Sequence, residues 1–269
     1  MLRFPLPCFA LLSFALHCVA LLCFDLHRIS CIGLLCLGLL CFSRHCSFCY
    51  DLLGHGESDL PDKTPSLTSL AAQLNELLET LQIENAHLIG FSLGGMINRR
   101  MAMDYPDKVA SLIILNSPHE RGAEQQALVE QRAKNTSQGG AKATIETTLE
   151  RWFTQQFRTS NPDKTNWVRE TVLANDPHNY AAHRFVLANG VVELIRPTPA
   201  LVFPTLVMTC QHDSGSNVAM SEAIASEIVG ADLVIIPELQ HLGLIEQPDL
   251  FIKPILTFLE TIISNQKRR

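Results

Sequence analysis

Ala86-His87-Leu88-Ile89-Gly90-Phe91-Ser92-Leu93-Gly94-Gly95 is the stretch on which the fold turns. A short apolar run ends in Gly-x-Ser-x-Gly, and residues 93 to 105 then read as a helix stopped by Pro106. A chain passing from strand to helix within one residue must turn sharply. Gly90 and Gly94 remove side chains that would collide in that turn. The serine between them is expected to be strained, to stand exposed at the top of a sheet and to lie at a helix N-terminus, where developing negative charge is favoured. Ser92 is therefore a candidate nucleophile.

The same rhythm extends outward. Ser66 is a plausible N-cap, and Leu67, Leu70, Ala71, Leu74, Leu77, Leu78 and Leu81 mark one helical face. Val109 to Leu115 reads as a buried strand. Residues from about Pro118 to Pro199 break the alternation. They read as helical and more polar, with Trp152, Phe153, Phe157 and Trp167 as apolar anchors. Strand and helix then resume: Thr205 to Cys210, Val218 to Val229, Leu233 to Ile236, Pro248 to Ile263. Alternating β and α segments predict an α/β fold, with a mostly parallel sheet and helices on both faces. The helical insertion at 118–199 predicts a lid over the strand ends.

A serine hydroxyl is a weak nucleophile and needs a base. Asp213 follows the strand ending at Cys210, and His241 follows the last predicted strand. Both fall in loops at the strand ends where Ser92 would lie. The chain order Ser, Asp, His is that of a catalytic triad on such a sheet. Asp232 and Asp249 suit the acid role less, since neither follows the relevant strand.

The 269 residues suit one α/β domain, and 47% apolar residues supply a large core. Net charge is −6, and the only basic block is Lys267-Arg268-Arg269, read as a solvated tail. No concentrated basic face suggests a nucleic-acid partner. Eight of nine cysteines precede Tyr50, and only Cys210 lies beyond it. Cys46 and Cys49, beside His45, form one CxxC without a second pair at zinc-site spacing, so no metal is expected. The later chain reads as reduced and cytoplasmic.

Residues 1–49 differ from the rest, with a Leu/Phe/Cys-rich composition and cysteines at 31, 36, 41 and 46. Phe4 to Phe24 carries no formal charge and could span a bilayer. Three origins are compatible with this segment: a membrane-targeting sequence, a diverged start of the domain, or an altered reading frame or gene start.

From Tyr50 onward the chain resembles the α/β-hydrolase superfamily. Asp51-Leu52-Leu53-Gly54-His55-Gly56-Glu57-Ser58 is similar to the family's D-x-x-G-x-G-x-S turn, which implies a structural role for His55. Gln240-His241 followed by Glu246-Gln247-Pro248 resembles its triad-histidine segment. Gly95-Met96 and Glu150-Arg151-Trp152-Phe153-Thr154 look similar to 3-oxoadipate enol-lactonases and related small carboxylic-ester hydrolases. Trp152 and Arg151 could touch substrate from the lid, and Trp152 could equally serve as the lid's anchor. Dehalogenases and epoxide hydrolases of this fold use Asp where this chain has Ser92. Haloperoxidase-like esterases, C–C bond hydrolases and the lyase of menaquinone synthesis share the triad and stay open.

The resemblance implies cleavage of an ester or lactone through an acyl-enzyme, without metal or organic cofactor, the backbone N–H of Leu93 being one oxyanion donor. The second donor normally follows the third strand, often at His-Gly, and no His-Gly occurs before Tyr50. The nearest match is a strand at Val19 to Phe24 followed by His27-Arg28, with Arg28 in the glycine's place. Losing one donor costs on the order of 100- to 1000-fold in turnover. If no strand filled the slot between those leading to Asp51 and Ser92, each buried unpaired backbone group would cost about 1–3 kcal/mol. Two other outcomes follow from residues 1–49: a non-catalytic or impaired protein of this fold, and a membrane-anchored hydrolase.

Overall fold

The computed structural model describes residues 18–22, 46–56 and 58–266. Six strands form one parallel sheet: β1 (Cys18–Leu22), β2 (Cys46–Tyr50), β3 (Ala86–Phe91), β4 (Val109–Leu115), β5 (Thr205–Cys210) and β6 (Asp232–Ile236). Their order across the sheet is β2-β1-β3-β4-β5-β6. The strands and helices expected from residue 86 onward fall within three residues of their observed bounds outside the 118–199 insertion.

β1 fills the slot that the sequence left in question. Its backbone pairs with β2 from Cys18↔Cys46 to Leu22↔Tyr50, and with β3 from Cys18↔Ala86 to Leu22↔Gly90. The expected strand at Val19 to Phe24 thus begins one residue earlier and ends at Leu22. Both inner edges, of β2 and of β3, are hydrogen-bonded through it. A helix through residues 4–24 and a strand at 18–22 exclude one another. Among the described residues no helix is long and apolar enough to cross a membrane. His27 and Arg28 lie outside the described residues, and the CxxC pair lies within β2.

Helices cover both faces. α1 (Leu67–Thr80) begins at Ser66, whose hydroxyl accepts from the Ser69 N–H while the Ser69 hydroxyl accepts from the Ser66 N–H. α1, α2 (Leu93–Asp104) and α8 (Val218–Glu227) pack on one face against Leu88, Leu112, Ile114 and Val207. α10 (Asp249–Gln266) packs on the other against Ile89, Ile113, Leu206 and Met208. The period-two alternation along each strand produces this division.

The insertion is helical, as its composition suggests. It comprises α3 (Ala123–Gly139), α4 (Ile145–Trp152), α5 (Gln155–Ser160), α6 (Pro162–Leu173) and α7 (Pro177–Asn189). It has a core of its own, including Leu149, Trp152, Phe153, Phe157, Val168 and Val172. Leu242, just before the short helix α9 (Gly243–Glu246), and Ile245 within it belong to that same cluster. The insertion is therefore seated on the segment that carries His241.

Gly90 is where β3 and α2 come closest. A Cβ there would run into the Gly94 backbone and come within 2.6 Å of the Asn98 amide nitrogen. Backbone cannot give way as a flexible side chain does. Gly90→Ala is expected to lower stability by about 1–3 kcal/mol, read as a shift in the urea midpoint at unchanged slope. An unshifted midpoint would show that the turn has slack.

Candidate active site

Ser92 sits between β3 and α2 with φ 55° and ψ −111°, a region in which a side chain is strained. Its N–H donates to the Leu115 carbonyl at 2.8 Å, which ties the turn to β4. Leu93 is the first residue of α2, so its N–H belongs to the first helical turn, where donors lack intrahelical acceptors. Gly95 packs so closely that a Cβ would lie 2.6 Å from the Ser117 Cβ. One expectation fails here. Ser92 was expected to stand exposed at the top of the sheet, yet it is only 3% exposed. Ser92 instead lines a cavity that residues of the helical insertion also line.

Asp213 lies three residues beyond β5, and His241 lies five beyond β6. The two are joined by a 2.7 Å contact between His241 Nδ1 and Asp213 Oδ2. The rest of the carboxylate is fully engaged. Asn116 Nδ2 donates to Oδ2 at 2.9 Å, while the N–H groups of Gly215 and Ser216 donate to Oδ1 at 2.8 and 3.0 Å. Burial alone would raise the Asp213 pKa. His241 beside it, with the Asn116 and Ser216 donors, outweighs burial and holds the group below the ordinary carboxylate value. With Nδ1 facing a carboxylate, the imidazole keeps its proton on Nδ1, and Nε2 is left as the basic nitrogen.

The His241 loop is held from several sides. Its ring lies 4.9 Å from that of Phe91 and 6.1 Å from that of Trp152. The Leu242 N–H donates to the Trp152 carbonyl at 2.8 Å. Glu246 receives the Thr154 N–H at 2.8 Å and the Thr154 hydroxyl at 2.7 Å. Trp152 is thus placed both as an anchor of the insertion and as a wall of the site.

Ser92, Asp213, His241 and Trp152 line one cavity of about 320 Å³, which the insertion also lines through Arg121, Val129, Arg151 and Leu187. Several of its parts are not among the residues that the sequence points to. Asn116, immediately after β4, adopts φ 45° and presents its amide to Asp213. An asparagine directly after a buried strand, a residue type that tolerates left-handed backbone, was the available signal. Of the arginines lining the cavity only Arg151 was singled out; Arg121, Arg132 and Arg184 were not. The buried Arg99 donates to the carbonyl of Pro118, which lines the cavity, at 2.6 Å, and His119 Nε2 contacts Glu227 at 3.1 Å. Burial lowers the Arg99 pKa to about 9, against the opposing pull of Glu227.

Other nucleophile and base candidates fall away from this cavity. His55 lies in the turn between Gly54 and Gly56, both at positive φ, and its ring packs edge-on against His183 at 4.3 Å. Burial pushes the Cys210 thiol up to about 12, which leaves it protonated and inert. Among the described residues no cluster of three or more His, Cys, Asp or Glu could hold a metal ion.

A family model described as alpha/beta hydrolase fold matches residues 36–248. The chain is 29% identical to 3-oxoadipate enol-lactonase 2 of Acinetobacter baylyi over 204 residues, covering 76% of this chain and 74% of that protein. Among solved structures, an enol-lactonase from Burkholderia xenovorans LB400 superposes with a TM-score of 0.81 at 24% identity, over 92% of both chains. A malate-bound esterase from Thermogutta terrifontis does so with a TM-score of 0.79 at 25% identity, over 92% of this chain and 90% of that one.

Two outcomes are expected from this geometry. Relief of backbone strain, about 1–3 kcal/mol, exceeds the entropic cost of glycine, about 0.5–1 kcal/mol. Ser92→Gly should therefore be more stable than Ser92→Ala by about 1 kcal/mol, measured by thermal or urea unfolding; equal stabilities would contradict the strain. The second concerns pH. A carboxylate whose folded pKa is depressed contributes stability that is complete above its unfolded value, about 3.9, and is lost as pH falls through the folded value. Asp213→Asn should therefore be less stable than the parent at pH 7, by about 1–3 kcal/mol, and the gap should narrow below about pH 4. A gap independent of pH would show that ionised Asp213 contributes nothing.

Proposed function

The chain belongs to the α/β-hydrolase fold family, and from that premise we propose that it is a serine hydrolase acting on an ester or lactone of a small carboxylic compound. The observation that carries this reading is the hydrogen-bonded Asp213–His241 pair lining the same cavity as the strained Ser92. In this reading His241 Nε2 takes the Ser92 proton as Ser92 Oγ attacks the carbonyl carbon. The Leu93 N–H donates to the oxyanion, and collapse of the tetrahedral intermediate expels the alcohol, protonated by His241, leaving an acyl-enzyme. His241 then removes a proton from water, which attacks the acyl carbon; the bond to Ser92 Oγ breaks, His241 returns the proton to Oγ, and the acid is released. Asp213 keeps the imidazole oriented and stabilises its charged form. No step calls for a metal or an organic cofactor.

Residues 118–199 act as the lid, with Trp152 both anchoring it and facing the substrate. A site beneath a roof excludes water, which strengthens every charge interaction within it. The similarity to enol-lactonase 2 of Acinetobacter baylyi supports a lactone, and the esterase likeness supports an open-chain ester. The residues expected at the second oxyanion donor, His27-Arg28, lie outside the described residues.

The purified protein is expected to hydrolyse short-chain p-nitrophenyl esters and to be labelled at Ser92 by a fluorophosphonate. Ser92→Ala should lose both, with turnover reduced on the order of 10⁶-fold. A folded parent protein with no rate above Ser92→Ala, and no label, would point instead to a non-catalytic member of the family.

A further inference from the structure

Four guanidinium groups converge on the cavity: Arg121 just before α3, Arg132 on α3, Arg151 on α4 and Arg184 on α7. Against them the lining offers one carboxylate, Asp213, whose oxygens already accept four hydrogen bonds. Arginines that hold this fold together look different. Arg100 meets Asp104 at 2.7 Å and Glu193 at 3.2 Å, and Arg169 meets Glu146 at 2.7 Å. None of the four cavity arginines forms an ion pair among the described residues.

Their remaining contacts are sparse. Arg121 reaches only Gln126 Oε1 at 3.4 Å and the Ala188 carbonyl at 3.3 Å, and its buried Nε has no partner among the described residues. Arg151 reaches only the Thr148 hydroxyl, at 3.3 Å. The cluster also repels itself. Burial, with Arg184 adding to it, lowers the Arg121 pKa to about 10. Burial, Arg184 and Arg132 together lower that of Arg151 to about 10, despite the opposing pull of Asp213. Arg121 and Arg151 are still charged at neutral pH. Like charges gathered in a roofed cavity are costly unless a ligand of opposite charge completes them.

We propose that Arg121, Arg132, Arg151 and Arg184 form an anion-recognition cluster, and that the substrate carries at least two anionic groups besides the bond that is cleaved. The proposal rests on the serine-hydrolase reading of this cavity. A single carboxylate would leave three of the four cations unmatched, whereas guanidinium forks suit several oxyanions at once. A cavity near 320 Å³ admits a small metabolite and not a polymer. Its walls carry Trp152, Leu187 and Met220 between the charges, so the carbon skeleton is packed while its anionic ends are paired. Carboxylate and phosphate share the recognition chemistry.

Binding separates this proposal from the catalytic reading. Calorimetric titration of the Ser92→Ala protein with butyrate, glutarate, tricarballylate and pyrophosphate counts anionic groups without requiring turnover. Affinity is expected to rise about tenfold or more with each added carboxylate and to fall as salt is raised. Arg151→Gln and Arg184→Gln should each weaken tricarballylate binding about tenfold or more, with circular dichroism unchanged, and the corresponding Lys variants should recover part of it. Tighter binding of pyrophosphate, with the same arginine dependence, would support the cluster and identify phosphate as the group it reads. Equal affinity for butyrate and tricarballylate, or binding indifferent to both arginines, would overturn the proposal. In the parent enzyme, kcat/KM should favour a p-nitrophenyl ester of a tricarboxylic acid over the butyrate ester, and that ratio should fall toward one in the Gln variants. Efficient turnover of both esters without preference would sink the anion cluster and leave the hydrolase reading standing. Arginine-dependent binding without any turnover would do the reverse.

Discussion

Between β3 and α2 the chain has one residue, Ser92, in which to change from extended to helical backbone. That constraint organises the rest. The turn closes only because nothing projects from Gly90 toward the Gly94 backbone and nothing from Gly95 toward Ser117. Closing it draws α2 against the sheet, where Leu93, Met96, Ile97 and Met101 join the core on one face. It also lifts the serine out of both regular elements, at a backbone geometry that a side chain accepts only under strain. The surrounding core is what sustains that strain: β4 is bonded to the Ser92 N–H, and β1 pairs with β3 along its other edge.

The electrostatics of the cavity follow from the same arrangement. All six strands are parallel, so the loops after β3, β4, β5 and β6 meet at one end of the sheet. They bring Ser92, Asn116, Asp213 and His241 together, though these residues are up to 149 positions apart in the chain. The helical insertion lines the same cavity and contributes its four arginines. The insertion and the His241 loop are not independent: the Glu246–Thr154 bonds and the Leu242–Trp152 bond fasten one to the other. A shift of the insertion must therefore disturb the setting of His241.

Much of this architecture was legible in the sequence. Apolar runs ending in glycine, the helical spacing of α1 and the strand–helix alternation are local signals, and each produced an element at its expected place. The order Ser92, Asp213, His241 was legible because parallel strands put successive loops on one side. Other features carried no local signature. Asn116 reads as a turn residue until its amide is found 2.9 Å from Asp213, 97 positions away. The burial of Ser92 depends on where the insertion lies, and amphipathic helices of a polar insertion do not announce their direction of packing. β1 was the weakest case, because its leucine- and cysteine-rich surroundings mask a five-residue strand that is identified by the ladders on both of its edges.

The amino-acid sequence by itself therefore determined the alternation of elements, the crowded turn at Ser92 and the chain order of Ser92, Asp213 and His241. These depend on backbone sterics and on periodic burial, which act over a few residues. Only the tertiary structure decided that Ser92 is buried, that Asn116, Gly215 and Ser216 surround Asp213, and that four arginines from separate segments face one cavity. Enclosure and convergent charge are properties of segments far apart in the chain, and they exist only once packing has brought those segments together.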